Sequence, residues 1–482
     1  MSFDEKNYIC TDKKIQAMIN SGERPDVIKT TQMKDRGISV SGNKYMIEAS
    51  TFITYANTRT ASRENDQGIW FYNYKNNHYD LLKYNEYKKV LFTLIIEVDP
   101  TWWNITMQNS YLAFFLNQVR SFSSEGTEEG ILQFNNGVFI FEEQPARFVE
   151  PSPEYNCQFR IPYDYDENAD CPKFKAFLND ILSGDNERIK VVQEIMGATL
   201  YYCKCMQNLI IFKGEGSNGK SLLASIIKYM LGTDNVSSVS LDKLSGGQFS
   251  RQNLDKKLLN VSSEVIPGKV YSTADLKALT GGDSVEIEKK YQNSYTTEIY
   301  SKFILLANEM IQTADYSDGF YRRLVIIPFN EKFKRTIPGK EKIKGEKYQD
   351  VTLEDDLKEE LPGIFNFAYE GLMRLVDQDY QLSYSSACEK ALEHYKNEHN
   401  VVKAFLNEAV NVSGNNSDIV RSSDIFPAFD VYCRDNHYFK QLRSTTKHMF
   451  FKMFEQAIDD MNLPIFKKKH SDSYYYTGMI LK

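Results

Sequence analysis

One run of eight residues, GEGSNGKS at 214–221, limits what this chain can fold into more than any other feature. It satisfies G-x-x-x-x-G-K-[ST] at every defined position, directly after the apolar strand LIIF and before SLLASIIKYML, whose apolar residues recur at helical spacing. Glycines let backbone amides turn inward, and the following helix N-terminus adds partial positive charge, so the run predicts a cradle for a nucleotide phosphate. Gly214, Glu215, Gly216, Ser217, Asn218 and Gly219 would form its wall. Lys220 would reach the β- and γ-phosphates, and the Ser221 hydroxyl would ligate magnesium.

A phosphate site of this kind also needs an acid. The next apolar strand, KKLLNVSSEV, carries Glu264 at its carboxyl end, with Ser262 and Ser263 before it instead of a second acid. Glu264 takes the acidic role, and its division between holding the metal and polarising water stays open. A third strand, SKFILLANEM, ends at Asn308, whose amide offers a donor and an acceptor to an attacking water or a γ-phosphate. Glu309 is a secondary candidate beside it. DGFYRRLVIIPF then sets Arg322 and Arg323 before a last apolar strand, and a guanidinium fork suits a transferring phosphoryl group. Which arginine serves stays open. Nearly unbroken apolar strands suit a sheet covered on both faces, so 209–345 reads as an α/β ATPase core.

At 482 residues the chain is long enough for two or three domains. It has no apolar run of membrane-spanning length, and MSFDEKNY lacks the order of a secretory signal. A cytoplasmic protein without membrane contact is expected, in the host cell if a virus or phage encodes it. The net charge of −7 argues against a chain that coats nucleic acid over its whole surface, although a local basic patch is compatible with it. Seven scattered cysteines argue against a disulfide framework, and Cys203 with Cys205 read as buried thiols.

Residues 1–64 are too irregular for a fold assignment. Over 65–159 an α+β region is expected: IWFYNY and YDLLKY as strands, KKVLFTLIIEV as a strand or helix end, LAFFLNQVRSF as a helix, and a hairpin turning at Asn135-Asn136-Gly137. Its dense aromatic residues read more readily as core or interface than as a stacking surface. Residues 160–208 form a helical lead-in, with Pro172 near a helix start. Residues 346–410 form a helical linker or lid, and NVSGNNSD opens a last domain at 411–482. That domain shows helix, helix and terminal hairpin, the order of a winged helix-turn-helix. Lys447, His448 and Lys452 on one helix, and Lys467, Lys468 and Lys469 beside the turn HSDS, are its candidate DNA contacts.

GEGSNGKS, LLNVSSEV, LKALTGGDSVEIEKKY, FILLANE and FYRRLVIIPF together resemble the superfamily 3 helicases, specifically the phage, plasmid and poxvirus primase-helicase group. The resemblance is strongest over about 160–330. It implies a multidomain α/β protein with a central AAA+-like P-loop ATPase, an α+β N-terminal region that serves as a helicase-associated or assembly domain, and a C-terminal winged helix. It further implies ATP and Mg2+ as cofactors, a homo-hexameric ring around single-stranded DNA, and an arginine acting on the neighbour's nucleotide. The segment from Thr280-Gly281-Gly282-Asp283 to Lys290 matches the family motif that leads to a channel hairpin, which makes Lys289 and Lys290 candidate DNA contacts and Lys277 and Lys302 lesser ones. Asp164 and Asp166 are the nearest approach to a two-metal primase site, yet stand in a linker-like stretch, so no primase site is expected here and a separate primase partner is. The resulting expectation is a DNA helicase in the replication of a phage, plasmid or other mobile element. Two alternatives stay open: a nonhelicase AAA+ switch that remodels or loads a replication or packaging partner, and a DNA-binding initiator that uses nucleotide mainly for assembly.

Overall fold

The computed structural model describes residues 3–482 except 43, 66–67, 104–107, 122–129, 142–145, 156, 158, 205, 245–247, 264, 266–269, 288–293, 314, 316, 336–342, 344, 400, 437 and 471–472. The chain divides into two units, Met1–Tyr165 and Asp166–Lys482.

In the first unit an apolar core takes in residues from Tyr8 to Phe115, on both sides of the boundary expected near residue 64. The stretch read as a strand or helix end is a helix, Tyr84–Ile96, because Tyr87, Val90, Leu91, Leu94 and Ile95 recur at three- and four-residue spacing and bury one face. Phe71, Tyr87 and Phe115 pack ring on ring with centroids 5.6–6.4 Å apart, so these three point inward, whereas Tyr84, Phe114 and Phe148 are exposed. Gly68–Asn73 and His78–Leu82 pair antiparallel, as do Ile131–Gln133 and Val138–Ile140. The latter pair turns at Asn135–Gly137, with Gln133 opposite Val138.

The second unit begins with helices α1 (Pro172–Ile181) and α2 (Asn186–Leu200). There follow β1 (Leu209–Lys213), α3 (Lys220–Leu231), β2 (Val236–Ser237), β3 (Leu259–Ser262), β4 (Ser284–Ile287), β5 (Tyr295–Glu298), β6 (Lys302–Ala307) and β7 (Leu324–Pro328). Five of these strands form one parallel sheet in the order β2-β3-β6-β1-β7. Their apolar residues are buried on both faces, as in a parallel sheet of the P-loop NTPase-like kind. Strands β4 and β5 pair antiparallel as a separate hairpin, and Lys289 and Lys290 lie outside the described residues.

Beyond the sheet, β8 (Phe333–Lys334) pairs with β9 (Lys347–Tyr348), followed by helices α4 (Leu353–Glu359), α5 (Leu361–Asp377), α6 (Ser386–His399) and α7 (Val401–Ala409). Helix α7 contributes Val402, Phe405 and Leu406 to a core shared with the last segments, so that core starts ten residues before the boundary expected at 411. There follow β10 (Ile419–Arg421), α8 (Ser422–Asp435), α9 (Phe439–Ser444), α10 (Lys447–Asp460), β11 (Phe466–His470) and β12 (Ser473–Thr477), with the strands in antiparallel order β10-β12-β11 and all but the exposed β11 contributing side chains to this core. A short pair, Val410–Val412 with Met479–Leu481, closes this region. Cys203 is part of a disulfide and half-buried in the loop between α2 and β1, contrary to the buried thiol expected; the chain has left the core there.

Helices α2 and α5 cross at a pair of glycines. A Cβ on Gly197 would lie 2.3 Å from the Leu372 amide nitrogen, and one on Gly371 would lie 2.2 Å from the Gln193 carbonyl oxygen. Backbone meets backbone there, with nothing soft to yield. Gly197→Ala and Gly371→Ala should each cost about 1–3 kcal/mol of stability, read as a lower urea midpoint with an unchanged slope.

Candidate functional site

Strand β1 is paired along its full length on both sides: Lys213 stands opposite Ala307 of β6 and Pro328 of β7. The carboxyl ends of three strands are therefore level, the position where open parallel sheets bind ligands. Gly214 donates its N–H to Ala307 at 3.0 Å, and Phe329 donates to Lys213 at 2.7 Å, which fixes the first residue past each strand. A Cβ on Gly214 would meet the Asn218 side chain at 2.1 Å and the Phe329 carbonyl at 2.5 Å. Gly219, at φ +86°, would drive one into Ile181 of α1 at 2.4 Å. Asn218 Nδ2 donates to the Phe329 carbonyl at 3.3 Å, pinning the loop to the strand beside it.

This packing brings Lys220 and Asn308 together across 88 residues. Lys220 Nζ donates to Asn308 Oδ1 at 3.2 Å and also to the Gly214 carbonyl. Both partners are uncharged oxygens. Burial first, then neighbouring Lys213, lowers the lysine pKa from its ordinary value. A buried cation held only by neutral oxygens is a place an anion would stabilise, and the exposed Ser221 hydroxyl stands one residue on at the start of α3. Residues 216–221 and Asn308 line a cleft of about 1350 Å³ together with Ser263 and Glu309. The loop amides, Lys220 and Ser221 fit a triphosphate with a magnesium ion. Glu264 lies outside the described residues. Glu215 points elsewhere, into an exposed ion pair with Lys332 at 2.8 Å that lowers its pKa.

The arginines stand at the other end of the sheet. Leu324 pairs with Leu209, so Arg322 and Arg323 precede β7 at the amino end of β1, about 15 Å of strand from the loop. Arg323 is half-buried and donates Nη1 to the Gly319 carbonyl at 2.5 Å, whereas Arg322 is exposed. Lys447, His448 and Lys452 are exposed on α10, and Lys467, Lys468 and Lys469 on β11. Lys467 is tied to Glu455 at 2.6 Å. Asp164 and Asp166 are exposed in a loop. Among the described residues no helix is long and apolar enough to cross a membrane.

Two lysines suggested for nucleic acid or nucleotide contact are engaged within the fold. Lys277 donates to Ser317 Oγ at 3.0 Å and pairs with Asp315. Lys302 is 3% exposed, and its Nζ donates to the carbonyls of Cys203 at 2.8 Å and Tyr300 at 3.0 Å. Burial pushes its pKa down to about 7. It stands at the amino end of β6 beneath the loop that follows α2, a cover that only the tertiary fold supplies.

The cleft wall also holds residues that no motif marked. Phe177 and Ile181 of α1 face Phe333 and Tyr348 of β8 and β9, giving the cleft an apolar side suited to a base. Arg188, 6% exposed, donates to Pro328 at 2.6 Å and Leu182 at 2.7 Å, binding the α1–α2 corner to the end of β7. Only the helical spacing of Phe174, Phe177, Leu178 and Ile181 announced this face in sequence.

Comparison with known proteins agrees in kind. Residues 111–183 match the model described as D5 N terminal like, and residues 212–323 match a family of unknown function, DUF5906. The chain thus carries two regions similar to these models, one on either side of the loop that follows α2. A protein of Acanthamoeba polyphaga mimivirus named "Putative helicase" is 27% identical over 226 residues, 45% of this chain and 23% of the relative. One of the same name from Invertebrate iridescent virus 6 is 23% identical over 364 residues, 69% of this chain and 37% of the relative. The chain thus spans between about a quarter and two fifths of these relatives. Among solved structures, the apo C-terminal region of NrS-1 aligns with a TM-score of 0.48 at 15% identity, over 87% of this chain and 96% of that one.

Lys302 yields a test by pH. Its unfolded pKa is near 10.5 and its folded one about 7, so between those values the unfolded chain holds a proton the folded chain lacks. Stability from this group therefore rises with pH across that window and is lowest below pH 7. Lys302→Met should remove this slope: the difference in urea midpoint between variant and wild type should shift steadily in favour of wild type from pH 7 to 10.

Proposed function

We propose that this chain is the ATP-driven motor of a DNA helicase that acts as a homo-hexameric ring in the replication of a virus, phage or other mobile element. The observation that carries the reading is the meeting of Lys220 and Asn308 at the level carboxyl ends of β1 and β6, inside a cleft with an apolar wall. Bound there, ATP with its magnesium ion would supply the transferring phosphoryl group and its charge neutralisation. The loop amides from Gly214 to Gly219 hold phosphate oxygens, Lys220 exchanges its neutral partners for the β- and γ-phosphates, and Ser221 turns its hydroxyl to the metal. Asn308 is then released to orient water, with Glu309 beside it and Glu264 as the acidic residue. Phe177, Ile181, Phe333 and Tyr348 exclude water from the base.

Arg322 is the arginine finger in this reading, since it is exposed while Arg323 is bonded within its own chain. Its distance from the loop along β7 puts it out of reach of its own nucleotide, so it acts on the next subunit's. The order β10, α8, α9, α10, β11, β12 supports reading the C-terminal region as a winged helix, in which Lys447 and Lys452 of α10 would be directed to DNA, with a separate primase as partner. Helicase names among viral relatives support the assignment.

Lys220→Ala should abolish ATP hydrolysis and strand displacement. Arg322→Ala should keep nucleotide affinity within about twofold while turnover falls by about a thousandfold or more. Mixing the two inactive variants should restore hydrolysis, because a Lys220→Ala subunit still lends its arginine to a neighbour with an intact loop. Full activity of Arg322→Ala, or no recovery on mixing, would overturn the shared-site reading.

A further inference from the structure

The three-stranded sheet of the C-terminal region has one face in the core and one in the open. Antiparallel partners share a face and alternate residues switch faces, so the register sorts the side chains without ambiguity. Tyr476 of β12, opposite Lys467 and Val420, is 1% exposed and packs its ring 5.3 Å from Phe454 of α10. That face is inward. The other is formed by Ile419 and Arg421 of β10, Ser473, Tyr475 and Thr477 of β12, and Phe466, Lys468 and His470 of β11.

On this outward face large apolar groups are left in water. Ile419 is 57% exposed and Phe466 is 54% exposed; between them in the same row Thr477 is buried, its hydroxyl donated to Asn416 Oδ1 at 3.3 Å, so the accessible part of this row is its two flanks. In the next row Arg421 and Lys468, both exposed, flank Tyr475. Neither cation is in an ion pair among the described residues, and none of the positions on the face is acidic, in a chain whose net charge is −7. The lysine that is neutralised, Lys467 by Glu455, belongs to the opposite face.

We infer that the outward face of β10-β12-β11 binds single-stranded nucleic acid, with bases stacked on Phe466 and Tyr475 and phosphates held by Arg421 and Lys468. Rings interleaved with unneutralised cations on a flat surface match a polyanion whose bases are free to stack. A duplex keeps its bases stacked on one another and has none to offer to these rings, whereas the bases of a single strand are free to stack. This surface is distinct from the α10 face assigned to DNA above and deepens that reading: duplex at α10 and a separated strand at the sheet would place the unopened duplex and one of its two separated strands on one domain.

The test is fluorescence anisotropy of the full chain with labelled oligothymidine and with a duplex of matched length, without ATP, so that it stands apart from any failure of the hydrolysis assays. Phe466→Ala with Tyr475→Ala should weaken oligothymidine binding by about thirtyfold or more, as expected for two stacked bases at about 1–3 kcal/mol each, and leave duplex binding unchanged. Arg421→Ala with Lys468→Ala, exposed changes that spare the core, should reduce the slope of log affinity against log salt by about 1.4. Oligothymidine binding that is unchanged in both pairs overturns the inference. So does equal loss for duplex and single strand, or loss of self-association in sedimentation with oligothymidine affinity intact, which would make the face an interface between copies.

Discussion

The in-register clamp on β1 is the constraint on which the candidate site depends. With Lys213 opposite both Ala307 and Pro328, the three chains leave the sheet at one level, and Gly214, Asn308 and Phe329 come to lie side by side. A slip of one residue in the pairing with β6 would turn Asn308 to the opposite face of the sheet and take away a partner of Lys220, and a slip in the pairing with β7 would displace Phe329, whose carbonyl holds Asn218. The loop has no room to compensate, since Gly214 is pressed between Asn218 and the Phe329 backbone and Gly219 against Ile181.

Two buried lysines show how position on one sheet changes the meaning of a charge. Lys220, at the carboxyl end, faces a cleft and has an amide oxygen and a carbonyl in place of a counter-ion. Lys302, at the amino end of the adjoining strand, is sealed under a loop and satisfied by carbonyls on the spot. In both, burial disfavours the charged form. Only the first has an open side from which negative charge can arrive, and this geometric difference separates a binding group from a structural one.

The same contrast marks what could be read from the sequence. The loop at 214–221 was legible as a turn from strand to helix because its signals are local: glycines, lysine and serine lie within eight residues, and the flanking strand and helix declare themselves by period. Asn308 was legible because strand ends in a parallel sheet converge on one edge. Lys302 was misread because its cover comes from residues 201–203, a hundred positions away. The apolar wall from Phe177 to Tyr348 was silent for the same reason, being assembled from a helix before the sheet and a strand pair after it. Residues 1–64 looked irregular because they hold only part of a core, the rest of which arrives with Leu82 to Phe115. Arg322 and Arg323 were equivalent as letters; the Gly319 carbonyl tells them apart.

The glycine crossing of α2 and α5 bears on where the smallest self-sufficient folding unit ends. From Val191 to Leu200 every residue of α2 is buried, so this helix has no side fit to meet solvent. Its cover is α5, which lies nearly forty residues beyond the stretch recognisable by family resemblance at 212–323. A gene fragment that kept α2 but stopped at residue 323, or at the last strand of the sheet, would be translated with a buried helix laid bare, and the chain would clump.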